Sequence, residues 1–247
     1  MTKLAGMPSV ADRTTIAGAT GLVAASSLLD LDPELGRQIS RERRAPARQA
    51  LQVKLLDLPA GPLNTATWNR AGLSGLLVVN GLLKREVRLA TGRSIEPLGP
   101  GDLLRPWQED AASFVAGEIT VLIPATVATL DREFLARAGA FPGVVDALLE
   151  RAMRRSRLGA ACAATKGLVG VDRRLFALMW TLAERWGAVT GNRVFLPLEL
   201  SQSDLAALVA ARRQSVSRAL SQLQRQGAIE RAEGGWIIRG EPPKIGN

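Results

Sequence analysis

Residues 200–239 read LSQSDLAALVAARRQSVSRALSQLQRQGAIERAEGGWIIR, and this stretch decides the fold. Ser201 stands where a helix cap belongs, Asp204 three positions on can reach back to complete a capping box, and Leu200 and Leu205 occupy the two positions of a hydrophobic staple. A short helix therefore starts at Ser201. Beyond Ala210 and Ala211, the apolar residues Val216, Ala219, Leu220 and Leu223 recur at three-and-four spacing, which gives a second helix one buried stripe. Gly227 stops it. Residues 228–231 and 236–239 then read as two strands joined through Glu233-Gly234-Gly235, a turn that glycine favours. Helix, tight turn, helix and hairpin in that order predict a winged helix-turn-helix.

On the second helix Arg213, Gln214, Ser217, Arg218 and Ser221 fall opposite the apolar stripe, given about 100° per residue. Arginine can donate two parallel hydrogen bonds to a guanine edge and glutamine can do the same to adenine, and a helix fits the major groove. Charge on a helix is ordinarily a solvated face. Here cap, turn, stripe and wing agree with one another, and that agreement favours a face that reads bases.

Working outward, residues 193–198 are rich in Val, Phe and Leu and can add a third strand to the wing. Residues 172–186 place Leu175, Leu178, Met179, Leu182 and Trp186 on one face of a supporting helix, with Asp172 as its cap and a hinge at 167–170 before it. From 131 to 166 the pattern is helical, and Leu148, Leu149, Met153, Ala160 and Ala164 form an apolar strip that needs a partner. A two-fold dimer through residues 142–166 supplies one, with Arg151, Arg154, Arg155 and Arg157 on the outer side of the helix pair. Between 51 and 130 short β-like runs alternate with glycine-rich turns: QVKLLDL, SGLLVVNG, LLKREVRLA, SIEPL, TVLIP and TVATL. They suggest an antiparallel sandwich or roll. Asp32-Pro33 marks an earlier helix start, with a bend expected at Pro46; regular structure is expected from about Leu28, after a flexible tail at 1–27.

The chain of 247 residues carries a net charge of +9, and most of the excess lies beyond residue 149. A basic carboxy-terminal part points to a polyanionic partner, and the helix-turn-helix context makes that partner double-stranded DNA. The run GLVAASSLL is too short to span a bilayer, so no membrane partner and a cytoplasmic location are expected. There is no histidine, which removes the usual general base, haem ligand and zinc ligand at once. Cys162 is the only cysteine, lies among alanines and reads as a small packing residue.

A β-roll, a long helix and a winged helix-turn-helix in sequence resemble the Crp/Fnr superfamily of bacterial transcription regulators, from about residue 28 onward. The resemblance is strongest at FLPLELSQSDLAALVAARRQSVSRALSQLQRQGAI, where the family's base-contacting positions fall on Arg213, Gln214, Ser217 and Arg218. Ser201, Gln202, Arg212 and Ser215 complete the expected DNA-binding set. Ala210 stands where a turn glycine is common and should tighten the turn; Gln214 stands where glutamate is common. The resemblance implies an α+β chain: a roll at 28–141 of the cyclic-nucleotide-binding type, a dimerisation helix at 142–168 and a DNA-binding domain at 169–247.

In SGLLVVNGLLKREVRLATGRSIEPLGPGDLL, Gly81, Gly92, Gly101 and Asp102 match the roll of that family, but the residues after Asp102 depart from it. The family's phosphate-binding cassette has Gly-Glu soon after that aspartate and an Arg with Ser or Thr about ten residues later. This chain has Arg105-Pro106-Trp107 and Phe114-Val115 instead, and Gly117-Glu118 comes too late. No cofactor is expected: neither cyclic AMP, haem nor an iron-sulfur cluster. Arg105 and Trp107 are weak candidates for contact with another ligand, although packing is the preferred role for the tryptophan. The expected function is an inverted-repeat-binding homodimeric regulator, not an enzyme, with RNA polymerase as a further partner. An architectural or protein-docking winged helix is the alternative; a DNA-processing enzyme would need clustered carboxylates, and Glu109-Asp110 has no third member nearby.

Overall fold

The computed structural model describes residues 22–64, 72–89, 92–105 and 116–243. Its first element is strand β1 (Leu22–Ser27), six residues ahead of the start expected from the sequence. Small residues hid this strand: LVAASS has no alternating pattern, and only its pairing with the next strand defines it. Helix α1 (Leu28–Leu31) follows. Asp32 then caps a 3-10 turn at Pro33–Gly36 by accepting from Glu34 N at 3.2 Å. A second 3-10 turn at Arg41–Arg43 leads into α2 (Arg44–Ala50). The chain thus breaks between 37 and 40 rather than at Pro46, which lies in the first turn of α2, where a missing N–H costs nothing.

Strands β2 (Gln52–Leu58), β3 (Gly61–Pro62), β4 (Leu73–Leu89), β5 (Gly92–Leu98), β6 (Leu103–Leu104) and β7 (Ala116–Asp131) complete an antiparallel seven-stranded sheet of order β1-β2-β7-β4-β5, with β3 on β7 and β6 on β4. Two pairs of runs that read as separate strands are fused. SGLLVVNG and LLKREVRLA form the single strand β4, and TVLIP with TVATL form β7. Bulges make the fusion possible, since the β4–β7 register shifts between Val78 and Asn80, Asn80 and Leu82, and Leu82 and Leu83. There Asn80 Oδ1 accepts from Thr126 N at 2.9 Å, replacing a ladder bond, beside Pro124, which has no N–H to give. Gly81, at φ +85°, crosses β7 so closely that a Cβ would lie 2.5 Å from Ala125 Cα. Glycine here marks a bend in one strand, not a turn between two. The bent strands wrap around Leu56, Leu58, Leu76, Val78, Leu83 and Leu98, all almost completely buried.

Asp131 accepts from Phe134 N at 2.7 Å and starts α3 (Arg132–Ala138); Pro142 opens the 24-residue helix α4 (Pro142–Thr165). Val144 and Leu148 of α4 enter a core with Leu28, Leu35 and Phe134. Leu148 therefore does not belong to the open strip expected from the sequence. One and two turns on, the same face carries Arg151 and Arg155. Arg151 Nη2 lies 2.8 Å from both Asp32 Oδ2 and Glu34 Oε2, and Arg155 donates to Glu96 Oε1 at 2.6 Å. Both arginines point into the roll rather than standing free, because the roll offers carboxylates there. The outer face keeps Val145, Leu149 and Met153 at 43%, 60% and 51% exposure, with Ala160 and Ala164 continuing it. Cys162 is buried, and burial pushes its thiol up to about 11, as suits a packing residue.

Helix α5 (Val171–Trp186) begins at Gly170, whose φ of +95° makes it the cap in place of Asp172. Asp172 sits in the first turn with its carboxylate folded over Gly170. Strands β8 (Ala188–Thr190) and β9 (Arg193–Leu196) precede the short helix α6 (Gln202–Leu208), and α7 (Arg213–Arg225), β10 (Ile229–Ala232) and β11 (Gly235–Arg239) follow it. The second sheet has order β10-β11-β9-β8, so β8 adds a fourth strand that the sequence reading did not include. Leu175, Leu178, Met179, Leu182, Leu205, Leu208, Val216, Leu220, Ile229 and Ile238 close one apolar cluster, which continues onto Leu82 and Ile95 of the roll.

Candidate nucleic-acid interface

Ser201 caps α6 by accepting from Asp204 N at 3.1 Å, and its own hydroxyl donates to Asp204 Oδ2 at 2.8 Å. The expected box closes hydroxyl to carboxylate, not carboxylate to backbone N–H. Between the helices Ala210 takes φ +49°, the left-handed conformation usually left to glycine. Arg174 of α5 steadies that turn, donating to Val209 O at 3.2 Å, Ala210 O at 3.3 Å and Leu168 O at 2.8 Å. The alanine thus takes the backbone conformation that glycine favours.

Helix α7 buries Val216, Ala219, Leu220 and Leu223 against α5 and α6. The opposite face presents Arg213, Gln214, Arg218 and Ser221, all exposed, with Arg212 exposed at the cap position and Ser215 and Ser217 half-buried along the margin. Arg212, Arg213 and Arg218 make no ion pair with any described residue, whereas Arg151, Arg155, Arg174 and Arg185 are each engaged. Arg212 and Arg213 stand at the amino end of the helix and add to the positive end of its dipole, with Arg218 on the next turn. Such a surface can meet phosphates and offer donors to base edges. The wing stands beside it: β10 and β11 pair Ala232 with Gly235 across Glu233-Gly234, and Arg231 lies over the Trp236 ring at 4.9 Å. Both wing strands are displaced by one residue at their start from the sequence reading, and Gly235 belongs to the second strand. No Cβ could be placed on Gly235, since it would meet Leu196 O of β9.

At the other end of α6, Ser201 and Gln202 are exposed, but Asp204 is buried and turns to the roll. Its Oδ1 accepts from Lys84 Nζ of β4 at 2.9 Å and lies 3.4 Å from Arg93 Nη2 of β5. Arg93 also donates to Ser203 Oγ at 3.4 Å and to Glu86 Oε2 at 2.8 Å. That last bond chiefly, with Arg88 adding to it, lowers the Glu86 carboxyl to about 2 against the opposing effect of burial. The sequence reading missed this contact; its partners stand 111 and 120 positions from Asp204. A second tie joins the Pro-Gly-Asp turn to α5. Asp102 accepts from Gly99 N at 2.9 Å and from Arg185 Nη2 at 3.3 Å, and burial raises its carboxyl above the ordinary range in spite of both donors. Arg105 donates to Ser74 O, an engagement with backbone. Trp107, Glu109-Asp110 and Phe114-Val115 lie outside the described residues.

Among the described residues there is no group of three or more His, Cys, Asp or Glu able to hold a metal ion, and no helix long and apolar enough to cross a membrane. Residues 173–241 match the family model of the Crp-like helix-turn-helix domain. No curated protein matches the chain. Among solved structures, a cyclic nucleotide-binding domain containing protein from Listeria monocytogenes is similar at 18% identity and TM-score 0.64 over 85% of this chain and 97% of that one. CooA from Carboxydothermus hydrogenoformans is similar at 16% identity and TM-score 0.58 over 89% of this chain and 93% of its own. FixK2 from Bradyrhizobium japonicum is similar at 18% identity and TM-score 0.56 over 77% and 93%. At these identities the likeness is one of fold.

Proposed function

We propose that this chain, which carries a Crp-like helix-turn-helix domain within the Crp/Fnr architecture, is a homodimeric transcription regulator that binds inverted-repeat DNA and needs no cyclic nucleotide to do so. The observation that carries the reading is the outer face of α7. Arg212, Arg213, Gln214 and Arg218 are exposed there, and the three arginines are unpaired among the described residues, on a helix anchored by its other face. Arg213, Gln214, Ser217 and Arg218 are assigned to base edges. Ser201, Gln202, Arg212 and Ser215 are assigned to the phosphates beside them. The chain acts by occupying DNA and engaging RNA polymerase, not by catalysis.

Dimerisation is supported by the outer stripe of α4, where Val145, Leu149 and Met153 stand exposed at one-turn intervals. Covering side chains that are about half exposed favours association by about 1 kcal/mol each, before the cost of bringing two chains together. The two-fold axis then runs beside α4, and two copies of α7 enter half-sites about one helical turn apart. Independence from cyclic nucleotide is supported by the missing Gly-Glu and Arg-Ser pairs soon after Asp102. Selection of bound sites from a random DNA pool tests the reading directly. An inverted repeat with a fixed half-site is the expected product, and equal retention of all sequences would place the chain among architectural DNA binders.

A further inference from the structure

The carboxy-terminal module is joined to α4 through residues 167–170 and packs on Leu158 and Cys162 of α4, and it is also tied directly to the roll. Asp204 is 3% exposed and receives both Lys84 and Arg93, each on a strand of the roll. Leu82 and Ile95, on those same two strands, enter the apolar cluster of the module. At the far end of α5, Arg185 bonds Asp102 and Pro100 O of the roll. The roll in turn is fixed to α4 by Arg151 on Asp32 and Glu34 and by Arg155 on Glu96 and Leu103 O. A side-chain path therefore runs from α4 through the roll to Asp204, α6 and α7. The covalent path through 167–170 includes Gly167 and Gly170, the latter at φ +95°.

We infer that Lys84 and Arg93 are specificity-determining residues for operator geometry: they set how many base pairs may separate the two half-sites. The inference rests on the reading of the chain as a dimeric DNA-binding regulator with its two-fold axis at α4. Helices α6 and α7 share one core, so holding α6 by its buried carboxylate holds the reading face of α7 as well. Adding one base pair between half-sites moves them apart by about 3.4 Å and turns one against the other by about 35°. A module latched to the roll by Lys84 and Arg93 resists that movement more than one held by Arg185, apolar packing and the 167–170 tether alone. The side chains of α7 select sequence, and the latch behind α6 selects spacing.

The test is a panel of inverted repeats of one selected half-site, with spacing changed by one and two base pairs in each direction. The full chain is compared with Lys84→Met, Lys84→Met/Arg93→Gln and Lys84→Arg, each first checked for a cooperative melt. Lys84→Met is the cleaner single change, because Arg93 also supports Glu86. The unchanged protein is expected to lose about tenfold or more in affinity per base pair of altered spacing, and the double variant less than about threefold, with base preferences inside the half-site unaltered. Lys84→Arg retains the narrow preference. Spin labels on the roll and on α5, read without DNA, give a second measure: the distribution of their separation broadens in the double variant. Identical spacing selectivity in all variants, or an unbroadened distribution, overturns the inference. If the unchanged protein binds no inverted repeat at all, the regulator reading fails, and the spin-label distances still decide whether the latch fixes the module.

Discussion

At the scale of single residues, the interface combines groups held firmly with groups left free. Replacing Arg213 or Arg218 by Ala should cost about 1 to 3 kcal/mol of operator binding and relax preference at one base pair per half-site. Competition assays with single-base variants measure this, and uniform weakening on all sequences would reduce the pair to phosphate contacts. Ala210, held at φ +49°, carries strain that glycine would not, so Ala210→Gly should stabilise the fold by about 1 kcal/mol in urea unfolding. An unchanged or lower midpoint would mean that the turn already tolerates its Cβ. Glu86 titrates near 2 in the folded chain against an ordinary value of 4.5, so its ion pair with Arg93 stabilises fully above about pH 4.5 and fades as pH falls toward 2. Glu86→Gln should therefore be the less stable protein at pH 6, by up to about 3 kcal/mol, and approach the unchanged protein near pH 2. A constant gap across that range would remove Glu86 from the acid response. The division of α7 into an exposed basic face and a buried stripe was legible in the sequence, because helical spacing separates Arg213 and Arg218 from Val216 and Leu220. The pairing of Asp204 with Lys84 was not, since no local pattern links residues so distant in the chain.

Elements show where periodicity speaks and where it is silent. Helix α4 reads as helical from its sequence, but its repeat alone could not tell which face meets the roll. The structure divides it by partners: Val144, Leu148, Arg151 and Arg155 turn inward, and Val145, Leu149 and Met153 turn outward. A basic side chain can thus occupy the inner face when Asp32, Glu34 and Glu96 wait there, and composition then misleads about burial. Leu149→Glu or Met153→Glu should give a monomer by light scattering and abolish operator binding, with little change in helix content. A dimer that survives both changes would move the interface away from α4. Strands β4 and β7 were read as pairs of short runs for a related reason. Gly81 and Pro124 are turn signals in one dimension, and only the neighbouring strand makes them bulges.

For the molecule as a whole, the roll, long helix and carboxy-terminal module are joined by buried charge and shared apolar surface. The order of these parts was legible because each has its own period; the ties between them were not. Millimolar cyclic AMP or cyclic GMP should leave both melting temperature and operator affinity of the purified chain unchanged, since a ligand that prefers the native state must raise its stability. A clear rise with either nucleotide would overturn the nucleotide-independent reading. The strand order also governs how the chain comes into being. The sheet runs β1-β2-β7-β4-β5, so the last strand made occupies the middle. During synthesis β1–β2 and β4–β5 can form as separate ribbons, and neither has a neighbour on its inner side until residues 116–131 emerge. Each waits with an open edge, and one late segment closes both. A ribosome that pauses before residue 131 therefore exposes two sticky ribbons to chaperones and to other nascent chains.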